Sequence, residues 1–315
     1  MFRWPLPVFL VKAIVISATF LKKGDIMKIK KKWLVIFLLP ATLIFGFVYA
    51  IPVVMLTATS FTDWVVASEP HFNGLDNYIK LFTQDSQFLS ATVNTLIWML
   101  LQSTIHILIG VLLALILARK KFYWKFTRTV YMFPNIISSA AIGMLFVMLL
   151  NPSFGIVNKG LTLLGVENPP NWFSNSSTAF FSVTMTWLPF AATVTILVMA
   201  EMTSLDVSIM EAAKVDGATE FQTNIYIVLP LMKNIIGTTT VLGATSMLQK
   251  LDIMMMTTKG GPGDLTLNLP LYVYNTAFSA KQFGLANAIG VIMIIMGLIA
   301  VGIINRIYSV GEKDF

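Results

Sequence analysis

The chain contains no cysteine. That excludes disulfides, thiolate chemistry and cysteine-based zinc sites, and it leaves the compartment open. Histidine is nearly as scarce, with only His71 and His106, too few for an imidazole-based metal centre. No Gly-x-x-x-x-Gly-Lys-Ser/Thr occurs anywhere, so this polypeptide does not hold ATP in a P-loop. Charge is sparse too: 12% of residues are Asp, Glu, Lys or Arg, against about a quarter in ordinary soluble domains. The net charge is +7 and the pI about 9.5. Such a balance suits nucleic acid or a membrane surface, but most of the Lys and Arg sit beside apolar blocks, which favours the membrane and argues against nucleic acid.

What fills the chain is apolar, at 56%, in blocks of the roughly 20 residues a helix needs to cross a bilayer. Six are expected, near 33–57, 95–117, 130–150, 180–200, 235–257 and 285–304. Each must be helical, because strands of that length would leave an unpaired edge in lipid. The fold class is therefore an all-α membrane protein with six transmembrane helices and a two-helix loop between spans four and five. Clusters of Lys and Arg precede the first block and follow the second and sixth, whereas the loops after the first, third and fifth carry only Lys80, Lys159, Lys259 and Lys281. Positive charge marks the cytoplasmic side, so both termini and the segment 201–233 are expected there. Residues 1–26 read as a dispensable or non-native extension: Lys22 to Ile26 resembles a translated ribosome-binding site ahead of a start at Met27. The transmembrane domain is then 27–315.

The loop at about 201–233 is too long for a minimal connection. Ser208 to Glu211 has the form of a capping box, in which a hydroxyl and a carboxylate satisfy each other's backbone N–H groups, and Thr219 to Gln222 repeats it. Gly217 lies where the first helix should end on a left-handed residue, and Leu229-Pro230 redirects the chain toward the fifth span. Two short helices hinged at a glycine and standing out of the membrane describe a docking surface.

Glu211-Ala212-Ala213-Lys214-Val215-Asp216-Gly217-Ala218, followed by Ile227-Val228-Leu229-Pro230, resembles the EAA signature of binding-protein-dependent ABC importer permeases of the carbohydrate branch, the maltose and glycerol-phosphate type. Phe72 to Tyr78, Asn94-Thr95 and Thr258 to Pro262 agree with it, and the resemblance covers about Lys31 to Ile307. It implies a permease subunit in a bacterial cytoplasmic membrane, without an ATPase site of its own and binding no cofactor, forming half of a sugar pathway. The implied partners are a second, similar permease, two ABC ATPase subunits that use ATP and Mg, and an extracytoplasmic solute-binding protein. It further implies that Glu211, Ala212, Ala213, Asp216 and Gly217 form a coupling helix seated in a cleft of the ATPase. Slim alanines suit entry into a groove. The Glu211 carboxylate can both cap its helix and face a basic residue of the partner.

Candidate pathway residues are Gln249, Lys250 and Asp252, which interrupt the fifth span, and Asn135 in the third. Ionisable groups inside a span point to function. Lys250 and Asp252 lie two residues apart and so do not pair directly on a helix. Two readings of Lys250 stand: it faces a polar path, or it snorkels to the outer headgroups about 25 Å above the inner surface. Asn135, Ser138 and Ser139, beside Pro134, also suit helix packing, and His106 reads as a packed or interface residue. Met254 to Met256 reads as adaptable packing, and Trp64, Trp172 and Trp187 as interfacial anchors. No Arg occurs between Arg128 and Arg306. Since arginine is the preferred phosphate fork, this favours a neutral sugar over a glycerol-phosphate-like solute. An ion-coupled secondary transporter would show paired acids or an inverted repeat, and a membrane enzyme would show a cluster of His, Asp, Glu or Ser at a span end. The sequence has neither.

Overall fold

The computed structural model describes residues 31–308 apart from 120, 121 and 123. The extension at 1–26, the start at Met27 and part of each basic cluster lie outside the described residues. Chain contacts define two units, Met1–Val54 and Met55–Phe315. In the first, the described residues form one helical run, Lys31–Phe45 and the wide turn Gly46–Ala50, with exposed apolar side chains such as Phe37 and Phe47. Helix α1, Val35–Thr59, carries this run onward.

The second unit is all helical among its described residues, with only isolated bridges (Thr62 with Phe72, Val65 with Gln282) in extended backbone. Its helices are α2 (Asp76–Thr83), α3 (Ser86–Ala118), α4 (Trp124–Ile136), α5 (Ser139–Leu149), α6 (Ile156–Leu163) and α7 (Ala179–Met185). There follow α8 (Ala192–Met202), α9 (Val207–Val215), α10 (Glu220–Leu231), α11 (Lys233–Gln249), α12 (Asp252–Met256), α13 (Leu269–Tyr274) and α14 (Phe283–Tyr308). Among the described residues three helices, α1, α3 and α14, are long and apolar enough to cross a membrane unaided, and up to six crossings result if each of three bent pairs counts as one.

The expected blocks are thus helical but less regular than drawn from hydropathy. The third bends by 104° between α4 and α5, where Pro134 tightens the chain into a 3₁₀ turn and Ile137 is extended. The fourth is interrupted between Met185 and Ala192, around Pro189. The fifth breaks at Lys250, between α11 and α12. Hydropathy reports how apolar a block is and is blind to a few residues of non-helical backbone, which lipid tolerates only where other protein groups satisfy it.

Two apolar clusters hold the second unit together. One gathers Phe88, Trp98, Met247, Ile253, Leu269 and Ile289; the other gathers Ile107, Val111, Val194, Val198, Val228 and Met232. Within the first, the Trp98 ring stacks on Phe180 at 4.7 Å and its indole N–H donates to Thr184 Oγ1 at 2.9 Å. The segment Phe72 to Tyr78 pins the C-terminal end of α1: Asn77 Nδ2 donates to the carbonyls of Ser60 and Thr62 at 2.8 Å, and the Tyr78 and Ser60 hydroxyls meet at 2.7 Å.

The tightest approach is at Gly284, whose missing Cβ would stand 2.0 Å from the Thr62 carbonyl oxygen and 3.0 Å from the Trp64 nitrogen. Both are backbone atoms and cannot rotate away. Gly284→Ala is therefore expected to destabilise the detergent-solubilised protein by about 1–3 kcal/mol, the usual cost of overpacking. A thermal melt matching wild type would contradict this close approach.

Candidate functional site

A cavity of about 370 Å³ lies in the second unit, lined from α3 by Gln102 and His106, from the bend before α5 by Asn135 and Ser139, and from the interrupted fourth block by Trp187. The fifth block contributes Thr239, Gly243, Ser246 and Lys250. Along α3 and α11 the lining residues fall between the two apolar clusters: Gln102 and His106 separate Met99 from Ile107, and Thr239 and Gly243 separate Met232 from Ala244. A polar chamber between two dry cores is what irregular backbone at membrane depth requires.

Three side chains hold that backbone open. His106 Nδ1 donates to the Leu188 carbonyl at 2.8 Å, which fixes the proton on Nδ1. The Tyr131 hydroxyl donates to the Pro189 carbonyl and accepts from the Ala191 N–H at 2.9 Å, bridging the gap ahead of α8. Asn268 Nδ2 donates to the Lys250 carbonyl at 2.6 Å, occupying the acceptor freed at the end of α11. Gln102 and His106 bound a π turn, Gln102–His106, inside α3, a widening often found at functional sites.

The structure sorts the residues singled out from sequence. Asn135 and Lys250 both line the cavity. Asp252 stands behind it, accepting a hydrogen bond from the lining residue Ser139. Gln249 is exposed and does not line it. Lys250 and Asp252 make no ion pair with each other among the described residues, although not for the helical-wheel reason: Lys250 sits in a break (φ −78°, ψ 77°) and only Asp252 is helical. Lys250 turns its ammonium toward the face of Trp187, 5.9 Å from the ring centroid. Ser138 caps α5 through the Ala141 N–H, a more specific role than packing. Trp187 is 4% exposed and belongs to the cavity wall, which corrects its reading as an interfacial anchor.

Sequence reading missed Gln102, Tyr131 and Asn268, and it noted Trp187 only as an anchor. Gln102 and Trp187 lie within apolar stretches where a single polar atom barely changes hydropathy. Yet Gln102 Oε1 and Trp187 Nε1 are buried with no partner among the described residues.

The loop after α12 is fastened to α3. Asn94 Nδ2 donates to the carbonyls of Asp264 and Leu267 at 3.0 and 2.9 Å, and Thr95 Oγ1 accepts from the Leu269 N–H at 3.0 Å. Asn94-Thr95 is thus tied to the end of this loop, from Asp264 to Leu269, and Asn268 carries that attachment on to Lys250.

At the other end, α9 turns 78° from α8, and α10 lies 70° from α11, so both loop helices run across the helices they join. The expected capping box at Ser208 is not formed. Asp206 caps α9 instead, its carboxylate accepting from the Ser208 N–H at 2.9 Å, a short Asp turn that places the helix start earlier. That bond holds the Asp206 carboxyl below its ordinary pKa. The cap is therefore in place at neutral pH and lost as pH falls through the lowered folded value. The second box is present: Thr219 Oγ1 accepts from the Gln222 N–H, and Gln222 Oε1 accepts from the Thr219 N–H at 2.8 Å. Gly217 has φ +80°, and around it the Ala218 N–H reaches the Ala213 carbonyl and the Gly217 N–H the Lys214 carbonyl, the paired bonds of a Schellman motif. Glu211, Ala212, Asp216 and Gly217 are exposed, whereas Ala213 is buried against its own chain. Val215, Phe221 and Tyr226 present 70% or more of their surface.

The model of the family described as binding-protein-dependent transport system inner membrane component matches residues 106–309. The chain belongs to that family. As an inner-membrane permease, it is a transport component and not an enzyme. It is 29% identical to the sulfoquinovosyl glycerol transport system permease protein SmoG of Agrobacterium fabrum, over 87% of this permease and 89% of that protein. It is 28% identical to the probable starch degradation products transport system permease protein AmyD of Thermoanaerobacterium thermosulfurigenes, over 90% and 95% respectively. Its fold superposes with a TM-score of 0.76 and 25% identity on a chain of a bacterial ABC transporter that imports the acidic polysaccharide alginate, covering 89% of this permease and 96% of that chain.

Proposed function

We propose that this permease carries a sugar or short oligosaccharide through the chamber between α3, the bend before α5, the interrupted fourth block and α11, driven by ATPase subunits that dock on α9 and α10. The observation that carries the reading is one chain holding both a half-open chamber with polar groups on its wall and an exposed, rigidly capped crosswise helix pair. A ligand of 370 Å³ is of disaccharide size, and the amide, hydroxyl, indole and imidazole groups of the wall are the small set of placed polar groups that orient a polar ligand. The permeases it resembles handle starch degradation products, sulfoquinovosyl glycerol and alginate, which supports a glycan as cargo.

On this reading Glu211, Ala212, Asp216 and Gly217 face an ATPase subunit, with Val215 and Phe221 supplying apolar contact, and Ala213 braces the helix from behind. ATP and Mg belong to the partner. A second permease completes the pathway, an extracytoplasmic binding protein delivers the cargo, and the segment 201–233 and both termini face the cytoplasm. The test is co-expression with the ATPase, permease and binding-protein genes that neighbour its own, purification, and reconstitution into proteoliposomes. ATP-dependent uptake of a glycan that requires the binding protein is the expected result. Uptake that persists without any ATPase and follows an ion gradient would make this a self-contained carrier instead.

A further inference from the structure

Lys250 sets the charge of the chamber. Its ammonium faces the Trp187 ring at 5.9 Å, and no lining side chain among the described residues carries a carboxylate. The nearest acid in sequence, Asp252, lies close enough to act on Lys250 through space, but it makes no ion pair with it among the described residues and bonds the Ser139 hydroxyl instead. The wall therefore presents one positive charge with an aromatic face beside it and neutral hydrogen-bonding groups around it. An ammonium inside a membrane protein calls for a partner, and a π face supplies only part of what an anion would. The backbone that carries this lysine is fixed: its carbonyl accepts from Asn268, whose own carboxamide oxygen caps α13 through the Leu271 N–H at 3.1 Å.

We infer that Lys250 is a specificity-determining residue that selects a glycan bearing a carboxylate, a uronate-type sugar, over its neutral counterpart. The inference rests on the transport reading above and narrows its substrate. A single compact ammonium matches the single negative charge of a carboxylate, whereas a phosphate ester is better met by the several parallel donors of an arginine fork. The neutral-sugar expectation drawn from the lack of arginine counted charge along the sequence; the break at Lys250 instead places a lysine on the chamber wall.

The test uses the reconstituted complete importer with its binding protein, and compares oligouronate with the same oligomer after carboxyl reduction. Wild type is expected to take up the acidic oligomer at least tenfold better at equal occupancy of the binding protein. Lys250→Met keeps the volume and is expected to lower the acid-to-neutral uptake ratio about tenfold or more, the worth of one charge-assisted bond. Lys250→Arg should restore the preference and Lys250→Glu should invert it. If all variants keep one acid-to-neutral ratio, Lys250 does not read charge and the inference falls, while the transport reading stands on the uptake that remains. If wild type moves neither oligomer nor a neutral maltooligosaccharide in an ATP-dependent way, the glycan reading falls first and takes this inference with it.

Discussion

Replacing Gly217 by proline is expected to abolish ATP-driven uptake while leaving the spans assembled. Gly217 closes α9 at φ +80°, and proline holds φ near −65°, so the turn cannot form. Proline also removes the N–H that bonds the Lys214 carbonyl. The neighbouring bond from the Ala218 N–H to the Ala213 carbonyl then loses its geometry, and with it goes the angle between α9 and α10. A Cβ at this position meets nothing within 4 Å, so steric crowding is not the issue. Gly217→Ala should therefore cost only about 1–2 kcal/mol for a left-handed residue and leave most uptake intact, with Gly217→Asn milder still. The graded series separates backbone conformation from surface loss: uptake in the order Gly, Asn, Ala, Pro, with ATPase association lost only in proline. Wild-type uptake by Gly217→Pro would mean that the relative angle of these helices does not matter to coupling. Glu211→Lys offers an independent arm, since it leaves the cap on Asp206 untouched and reverses one exposed charge.

How far the sequence carries is best judged at the joints. The helical character of every block was legible, because apolar runs of this length admit no other backbone in lipid. The loop was legible at Gly217 and Thr219, where a turn residue and a capping pair are local signals. It misled at Ser208, since Asp206 caps the helix two residues earlier by accepting from the Ser208 N–H, and the two caps read alike from composition. Asn135 and Lys250 announced themselves as polar residues in apolar surroundings. Tyr131 and Asn268 did not: their partners, Pro189 and Ala191 for one and Lys250 for the other, lie 18 to 60 residues away and are backbone groups, to which residue type gives no clue. Nor could periodicity foresee the break at Lys250. It depends on an acceptor from a distant loop being available to fill the gap.

Gly110→Leu is expected to prevent the permease from assembling, because α3 and α8 pack through a seam that has no room for a side chain. At Gly110 a Cβ would lie 2.6 Å from both Cβ and Cγ1 of Val194 and 3.2 Å from Cβ of Ala191. Ala114 and Ala191 beside it are fully buried, and Thr195 Oγ1 donates to the Gly110 carbonyl at 3.1 Å. Small residues and a side-chain-to-backbone bond are how helices approach closely where the hydrophobic effect does not drive association. The consequence reaches the chamber, because Val194 lines it and His106, one turn along α3, holds the Leu188 carbonyl. Forcing α8 outward withdraws that carbonyl and opens the wall. Gly110→Ala is the graded case, with an overpacking cost of about 1–3 kcal/mol, a lowered melting temperature in detergent and reduced uptake. Val194→Gly removes both clashing carbons at once. Alone it costs a helix penalty of about 1 kcal/mol and the burial of a core side chain, but the double variant should fall short of the summed single losses by more than half of the Gly110→Ala loss, a coupling that a double-mutant cycle measures directly. Purely additive losses in that cycle would show that the seam is not where α3 and α8 are held, and that the chamber owes its shape to the side chains bridging its breaks.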